Sequence, residues 1–151
     1  MDDKRLYIRV TGLLIEADCV LAVEEVHETY TQWCLPGGKL EYGETVVQGL
    51  AREIREETGL EVAVGELLYV TDRFRSRGNH DVDLCFAVHL VGGNVEERQA
   101  SDGGGEIIGD VRLIPIDDLP KYGFGEKFVT LIREGFPNKG SYYGMFHELY
   151  G

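Results

Sequence analysis

The stretch that most constrains this chain is residues 44–58, where apolar side chains recur with helical spacing and carboxylates gather beside them. On a helical wheel Val46, Val47, Leu50, Ala51 and Ile54 share one arc, a face that needs a partner layer to cover it. Glu53, Glu56 and Glu57 lie next to that arc. Spacings of i,i+3 and i,i+4 put their side chains on one surface, which destabilises a helix by about 0.2–0.5 kcal/mol per like-charged pair. They also fall in the last turn, where the helix dipole disfavours an anion by roughly another 0.3–1 kcal/mol. Gly49, on the same side in projection, costs about 0.5–1 kcal/mol against alanine and removes a side chain that would crowd the carboxylates. Local rules broken together on one face mark a functional surface. The economical compensation is one or two divalent cations, and carboxylate and carbonyl oxygens suit Mg2+ or Mn2+ better than zinc. A competing reading takes residues 52–57 alone as a solvated face in which Arg52 pairs with Glu56.

Around this segment the signals alternate between strand and helix. Residues 5–16 and 19–27 are expected to be two strands joined by a tight turn at Ala17 and Asp18. Residues 33–38, with Pro36, Gly37 and Gly38, are expected to break regular structure, and Gly59 to stop the helix as a left-handed cap. Residues 62–74 and 81–91 are β-rich, separated by a polar loop over 76–80. A glycine-rich loop over 101–105 precedes a strand over 107–114, and residues 125–134 form a second helix. The aromatic tail, 136–151, is assigned to no element. This order predicts an α+β fold with helices packed on a sheet, and 151 residues make one domain over 1–151.

The formal net charge of −12 argues against binding a nucleic-acid polymer, because phosphate backbones call for clustered cations. A protein this acidic that handles a phosphate substrate needs a cation to mediate. One local basic cluster exists, at Arg73, Arg75 and Arg77; alternate residues of a strand share a face, so these side chains can point together. Arginine forks suit phosphate contacts, and His80 is a further candidate; a solvated, charge-balancing edge is the competing reading. No apolar run reaches the ~18–20 residues of a membrane span, and no apolar leader follows the N-terminus, so a cytoplasmic protein is expected. Cys19, Cys34 and Cys85 lack CxxC spacing and are expected to be small buried hydrophobes.

Gly38, Glu44 and the run Arg52-Glu53-Ile54-Arg55-Glu56-Glu57-Thr58-Gly59-Leu60 stand at the spacing G-x5-E-x7-R-E-U-x-E-E-x-G-U, where U is aliphatic. Over residues 38–60 this resembles the Nudix box, with every defined position matched. The approach over 33–38 and the segment over 111–120 resemble the same family, and the likeness extends over about 5–135. It implies the Nudix fold, a mixed β-sheet sandwiched between helices, and metal-dependent hydrolysis of a diphosphate linkage. By resemblance, Glu53, Glu56 and Glu57 bind Mg2+ or Mn2+ with the Gly38 carbonyl. Glu44 and Arg52 hold the loop and helix together, and Gly59 supplies the stop. The substrate implied is a small nucleoside diphosphate derivative: a nucleoside triphosphate, ADP-ribose, a nucleotide sugar or a dinucleoside polyphosphate. A homodimer follows from family habit alone.

The general base is open between Glu53 and Glu106, which follows the glycines at 103–105; Asp102 is a weaker alternative. Trp33, Tyr69 and Phe74 are candidates for stacking on a base and equally for the core. The markers of the ADP-ribose and dinucleoside polyphosphate subgroups are missing from the window holding Arg75, Ser76 and Arg77. Two other classes compete. A binding module on this fold commonly loses box carboxylates, and here all are present. An isoprenoid diphosphate isomerase needs a protonating cysteine, for which Cys34 is in the right region, but typically has a degenerate box.

Overall fold

The computed structural model describes residues 4–75, 78–95 and 107–150. The chain opens with β1 (Leu6–Leu13), β2 (Ile15–Glu16) and β3 (Cys19–Val26). Ala17 and Asp18 both take positive φ, 50° and 62°, the turn whose twist matches a tight hairpin. The single strand expected over 5–16 is divided, because β1 and β2 belong to different sheets. Leu14, 1% exposed, is the crossing point, and its carbonyl accepts the Leu21 N–H at 3.0 Å.

The break expected over 33–38 is confined to Leu35 and Pro36. β4 (Thr31–Cys34) pairs with β3, and β5 (Gly37–Lys39) pairs with β1. Pro36 cannot donate to a ladder, but between strands its carbonyl accepts the Gly12 N–H at 3.0 Å. Cross-strand pairing overrides local preference here.

Next come α1 (Val46–Thr58), β6 (Leu60–Phe74), β7 (His80–Gly93) and β8 (Ile107–Pro115). A 3-10 turn (Ile116–Tyr122), α2 (Glu126–Arg133), β9 (Ser141–Met145) and α3 (Phe146–Tyr150) complete the chain. The tail left unassigned by sequence is therefore a strand and a short helix. Among the described residues the strands form a mixed five-stranded sheet, ordered β5-β1-β7-β6-β9, and a four-stranded antiparallel sheet built on β3. β1–β7 and β6–β9 are parallel pairs; the other pairs are antiparallel.

Strand alternation feeds two cores. Leu84, Phe86 and Val88 of β7 join Val10, Leu14, Leu50 and Ile54 under α1. Cys85 and Ala87 face the other way, towards Leu119, Phe128, Ile132 and Leu149. The expected layering, helices on both sides of the sheets, is the one observed.

Helix α1 starts one residue after its cap. Thr45 Oγ1 accepts the Gln48 N–H at 3.1 Å while Gln48 Oε1 accepts the Thr45 N–H at 2.9 Å, a complete capping box. Gly59 ends the helix at φ 75°, a left-handed conformation that costs any other residue strain, and its N–H reaches the Arg55 carbonyl at 2.9 Å. Val47 departs from the wheel: it is 49% exposed, at the margin of a buried stripe centred on Leu50 and Ile54. No helix among the described residues is long and apolar enough to cross a membrane.

Because Ile54 is fully buried and Val47 half exposed, truncating them should differ sharply. Ile54→Ala is expected to cost about 2–5 kcal/mol, and Val47→Ala less than about 0.5 kcal/mol, read from urea unfolding midpoints.

Candidate active site

The carboxylate face of α1 is built around Arg52. Its guanidinium forks onto Glu44, with Nε to Oε2 at 3.0 Å and Nη2 to Oε1 at 2.7 Å. Nη1 donates to Glu53 Oε1 at 3.0 Å and to Glu56 Oε2 at 3.3 Å, and Nη2 reaches the Lys39 carbonyl at 3.4 Å. One cation thus ties the loop before the helix, strand β5 and two helix carboxylates together. Glu44 in turn accepts the Glu41 N–H at 2.8 Å. Arg52 holds the Glu44 carboxyl below the usual carboxylate range, and Glu44 raises the Arg52 guanidinium further above its ordinary value.

Glu57 does something different. It is 8% exposed, and its Oε1 accepts the Gly37 N–H at 2.8 Å, pinning the strand to the helix. Gly38, beside it, lies against Glu53: a β-carbon there would come within 2.5 Å of Glu53 Cδ. Any larger residue there would push that carboxylate from its present position. Gly49 serves a neighbouring purpose, since its β-carbon would meet Leu40 at 2.6 Å and Glu44 Oε1 at 2.8 Å. It clears space for Glu44 and Leu40, which the wheel projection does not show. Among the described residues, no group of three or more acidic, histidine or cysteine side chains is gathered as a metal-holding set. Arg52 occupies the position between Glu53 and Glu56, and Glu57 is turned onto β5.

On the opposite face of β1 lies a cavity of about 360 Å³. Arg9 and Thr11 line it, while Val10 between them faces α1; their partners on β5 are Lys39, Gly38 and Gly37. The cavity and the carboxylate face therefore meet across the β1–β5 edge. Charge is set in its walls in cross-strand order, Arg9 opposite Asp83. Arg73, also in the lining, stands opposite the buried Asp81. Thr11 Oγ1 donates to Asp83 Oδ1 at 3.3 Å. Burial pushes the Asp83 carboxyl up, against the pull of Arg9, Thr11 and Arg73. Burial also lowers the Arg73 guanidinium, with Arg75 and Arg9 adding like-charge repulsion.

Glu25, 6% exposed, forms another wall. Its Oε1 meets Gln32 Nε2 and His27 Nε2, each at 3.0 Å, and its Oε2 accepts the Cys34 thiol at 3.3 Å. Burial drives its carboxyl up, but the bonds from Gln32 and Cys34, the Arg9 charge and His27 together hold it below its ordinary value. Cys34 is thus a half-buried donor in a cavity wall rather than a core hydrophobe; Cys85 alone of the three cysteines is fully buried.

Of the candidate substrate residues, Arg73 lines the cavity, its guanidinium 4.3 Å from the Phe146 ring centre. Arg75 is turned onto Asp81, and His80 onto Asp72 at 2.7 Å with its ring stacked on Phe74. Arg77, Asp102 and Glu106 lie outside the described residues. Trp33 and Phe74 line the cavity, while Tyr69, 2% exposed, belongs to the core.

The NUDIX domain model matches residues 6–132. This chain belongs to the NUDIX family. It is 32% identical over 126 residues to an ADP-ribose pyrophosphatase of Methanocaldococcus jannaschii, covering 80% of this chain and 70% of that protein. Against the 8-oxo-dGDP phosphatase of Homo sapiens it is 35% identical over 97 residues, or 64% of this chain and 29% of the human protein. The crystal structure of a UDP-X diphosphatase superposes with a TM-score of 0.70 at 27% identity, covering 90% of this chain and 66% of that one.

The box was legible in sequence; the cavity was not. Arg9, Glu25 and Asp83 are charges inside β-strands, and their signal was a polar residue among apolar strand neighbours, as in Arg9-Val10-Thr11 and Asp81-Val82-Asp83. Met145, Phe146 and His147, in the tail, carried no sequence signal at all.

The fork between Arg52 and Glu44 sets a pH test. A carboxylate with a lowered folded pKa adds stability above its unfolded value, here 4.5, and loses it as pH falls through the lower folded value. Glu44→Gln is expected to cost about 1 kcal/mol at neutral pH. It should also flatten the decline in unfolding free energy below pH 4.5, measured by denaturant titration across pH.

Proposed function

We propose that this protein hydrolyses the diphosphate linkage of a nucleoside diphosphate derivative, using Mg2+ or Mn2+. The observation that carries the reading is the juxtaposition across the β1–β5 edge: a complete box folded around Arg52 on one side, a polar cavity on the other. The diphosphate would lie at the box and the nucleoside in the cavity. The named relatives act on ADP-ribose, 8-oxo-dGDP and a UDP derivative, which have a nucleoside diphosphate in common.

The donor types suit a hard divalent cation, although among the described residues they are not gathered into a metal-holding set. The oxygens are carboxylates of Glu53, Glu56 and Glu57 and the Gly38 carbonyl, and two of the carboxylates already converge on one cationic nitrogen, Arg52 Nη1. When bound, the ion would neutralise diphosphate oxygens and orient a water for in-line attack. Glu44 keeps Arg52 fixed at the base of the carboxylates. Gly38 keeps β5 close enough for its backbone to share their surface. Arg73 and Arg9 supply positive charge along the cavity. A general base takes the proton of the attacking water, and Glu53 and Glu106 are the two candidates.

Turnover should vanish with a chelator and return with magnesium or manganese. Glu56 is exposed enough for Glu56→Gln to fold normally while losing activity by orders of magnitude; near-normal turnover would refute its place in the site. The base is tested by product formation in single turnovers. Glu106→Gln should cost about 10²–10⁴-fold if the loop carboxylate takes the proton, whereas a mild loss assigns that role to Glu53.

A further inference from the structure

The family match ends at residue 132, yet the cavity does not. Met145, Phe146 and His147 line it together with Trp33 and Arg9. The segment that carries them is built into the fold. β9 extends the mixed sheet by pairing with β6, from Tyr69 opposite Ser141 to Asp72 opposite Met145. The Tyr142 hydroxyl donates to Asp72, the Tyr143 ring packs 5.5 Å from that of Tyr69, and Leu149 is 2% exposed. At the end of β9 the chain turns into α3 so that Phe146 meets the Arg73 guanidinium at 4.3 Å. That contact holds a flat cation against an aromatic ring at the cavity wall.

We propose that the C-terminal segment, Ser141–Tyr150, is the specificity wall of this cavity, and that Phe146 positions Arg73 there to receive the planar base of a nucleotide. The proposal rests on the cavity being the site for the substrate's nucleoside. A volume of about 360 Å³ is in the range of small-molecule sites. The lining joins aromatic faces, from Trp33, Phe74, Phe124 and Phe146, to buried groups of both signs. A heteroaromatic base matches both features, with a π-face for the rings and the guanidinium, and an edge of donors and acceptors for the charged groups. A bare sugar phosphate offers no such face.

Trp33, the chain's single tryptophan, sits in the cavity wall and reports occupancy by fluorescence. The probes are AMP, GMP, UMP and CMP against ribose 5-phosphate, in magnesium. They contain no diphosphate linkage, so binding is read apart from hydrolysis. At least one nucleotide is expected to shift the emission and bind about tenfold tighter than ribose 5-phosphate, in line with stacking of one base. Phe146→Ala should erase that preference and leave ribose 5-phosphate binding unchanged. Phe146→Tyr should restore it, and Phe146→Leu, which keeps the bulk but not the ring, should not. The leucine variant serves as the test if the alanine variant unfolds. Equal binding of ribose 5-phosphate and all four nucleotides overturns the proposal, as does a loss in Phe146→Leu that affects both probe classes alike. A protein that shows the Phe146-dependent preference but cleaves no diphosphate would refute the hydrolase reading and leave this one standing.

Discussion

The arrangement of the box depends on one guanidinium. Three carboxylates at the end of a helix repel each other and oppose its dipole, and Arg52 answers two of them while its fork is held by Glu44. The geometry matters as much as the charge. A planar fork can grip Glu44 with two nitrogens and still present Nη1 to Glu53 and Glu56, which a lysine ammonium could not do. Glu44 is recruited in turn by the Glu41 N–H and by the space over Gly49. The loop, the helix and strand β5 are therefore one unit, and the third carboxylate, Glu57, completes it from the inside by holding the Gly37 N–H.

That unit is coupled to the cavity through β1. Period-two alternation sends Val10 towards α1 and Arg9 and Thr11 into the cavity, so one strand contributes to both the helix face and the cavity wall. A register slip of one residue would exchange these faces, burying Arg9 under the helix and exposing Val10 to the cavity. Two ladders guard against this: β5 sets Gly38 and Gly37 opposite Val10 and Thr11, and β7 sets Asp83 opposite Arg9 and Leu84 opposite Val10.

Burying Arg9, Glu25, Asp81 and Asp83 is costly unless each charge is compensated. Here opposite charges are set in cross-strand register, and Glu25 accepts bonds from three side chains. Buried charges of this kind do little to stabilise a fold, but the partners of Arg9, Glu25 and Asp83 fix where their polar groups face the cavity.

The local facts were written in the sequence. The helix and its glycine stop, the turn at Ala17 and Asp18, and the box spacing all follow from contacts within a few residues, where propensity and periodicity act directly. Tertiary structure decided the rest. It divided the strand over 5–16 between two sheets, made strands of residues either side of Pro36, and turned Arg75 and His80 away onto Asp81 and Asp72 while leaving Arg73 at the cavity. It also carried the tail back across the chain to β6, so that Phe146 meets Arg73 from a position 73 residues later in the sequence. Pairings of that kind depend on which strand edge and which face remain available once the sheets have formed, and no window of neighbouring residues contains that information.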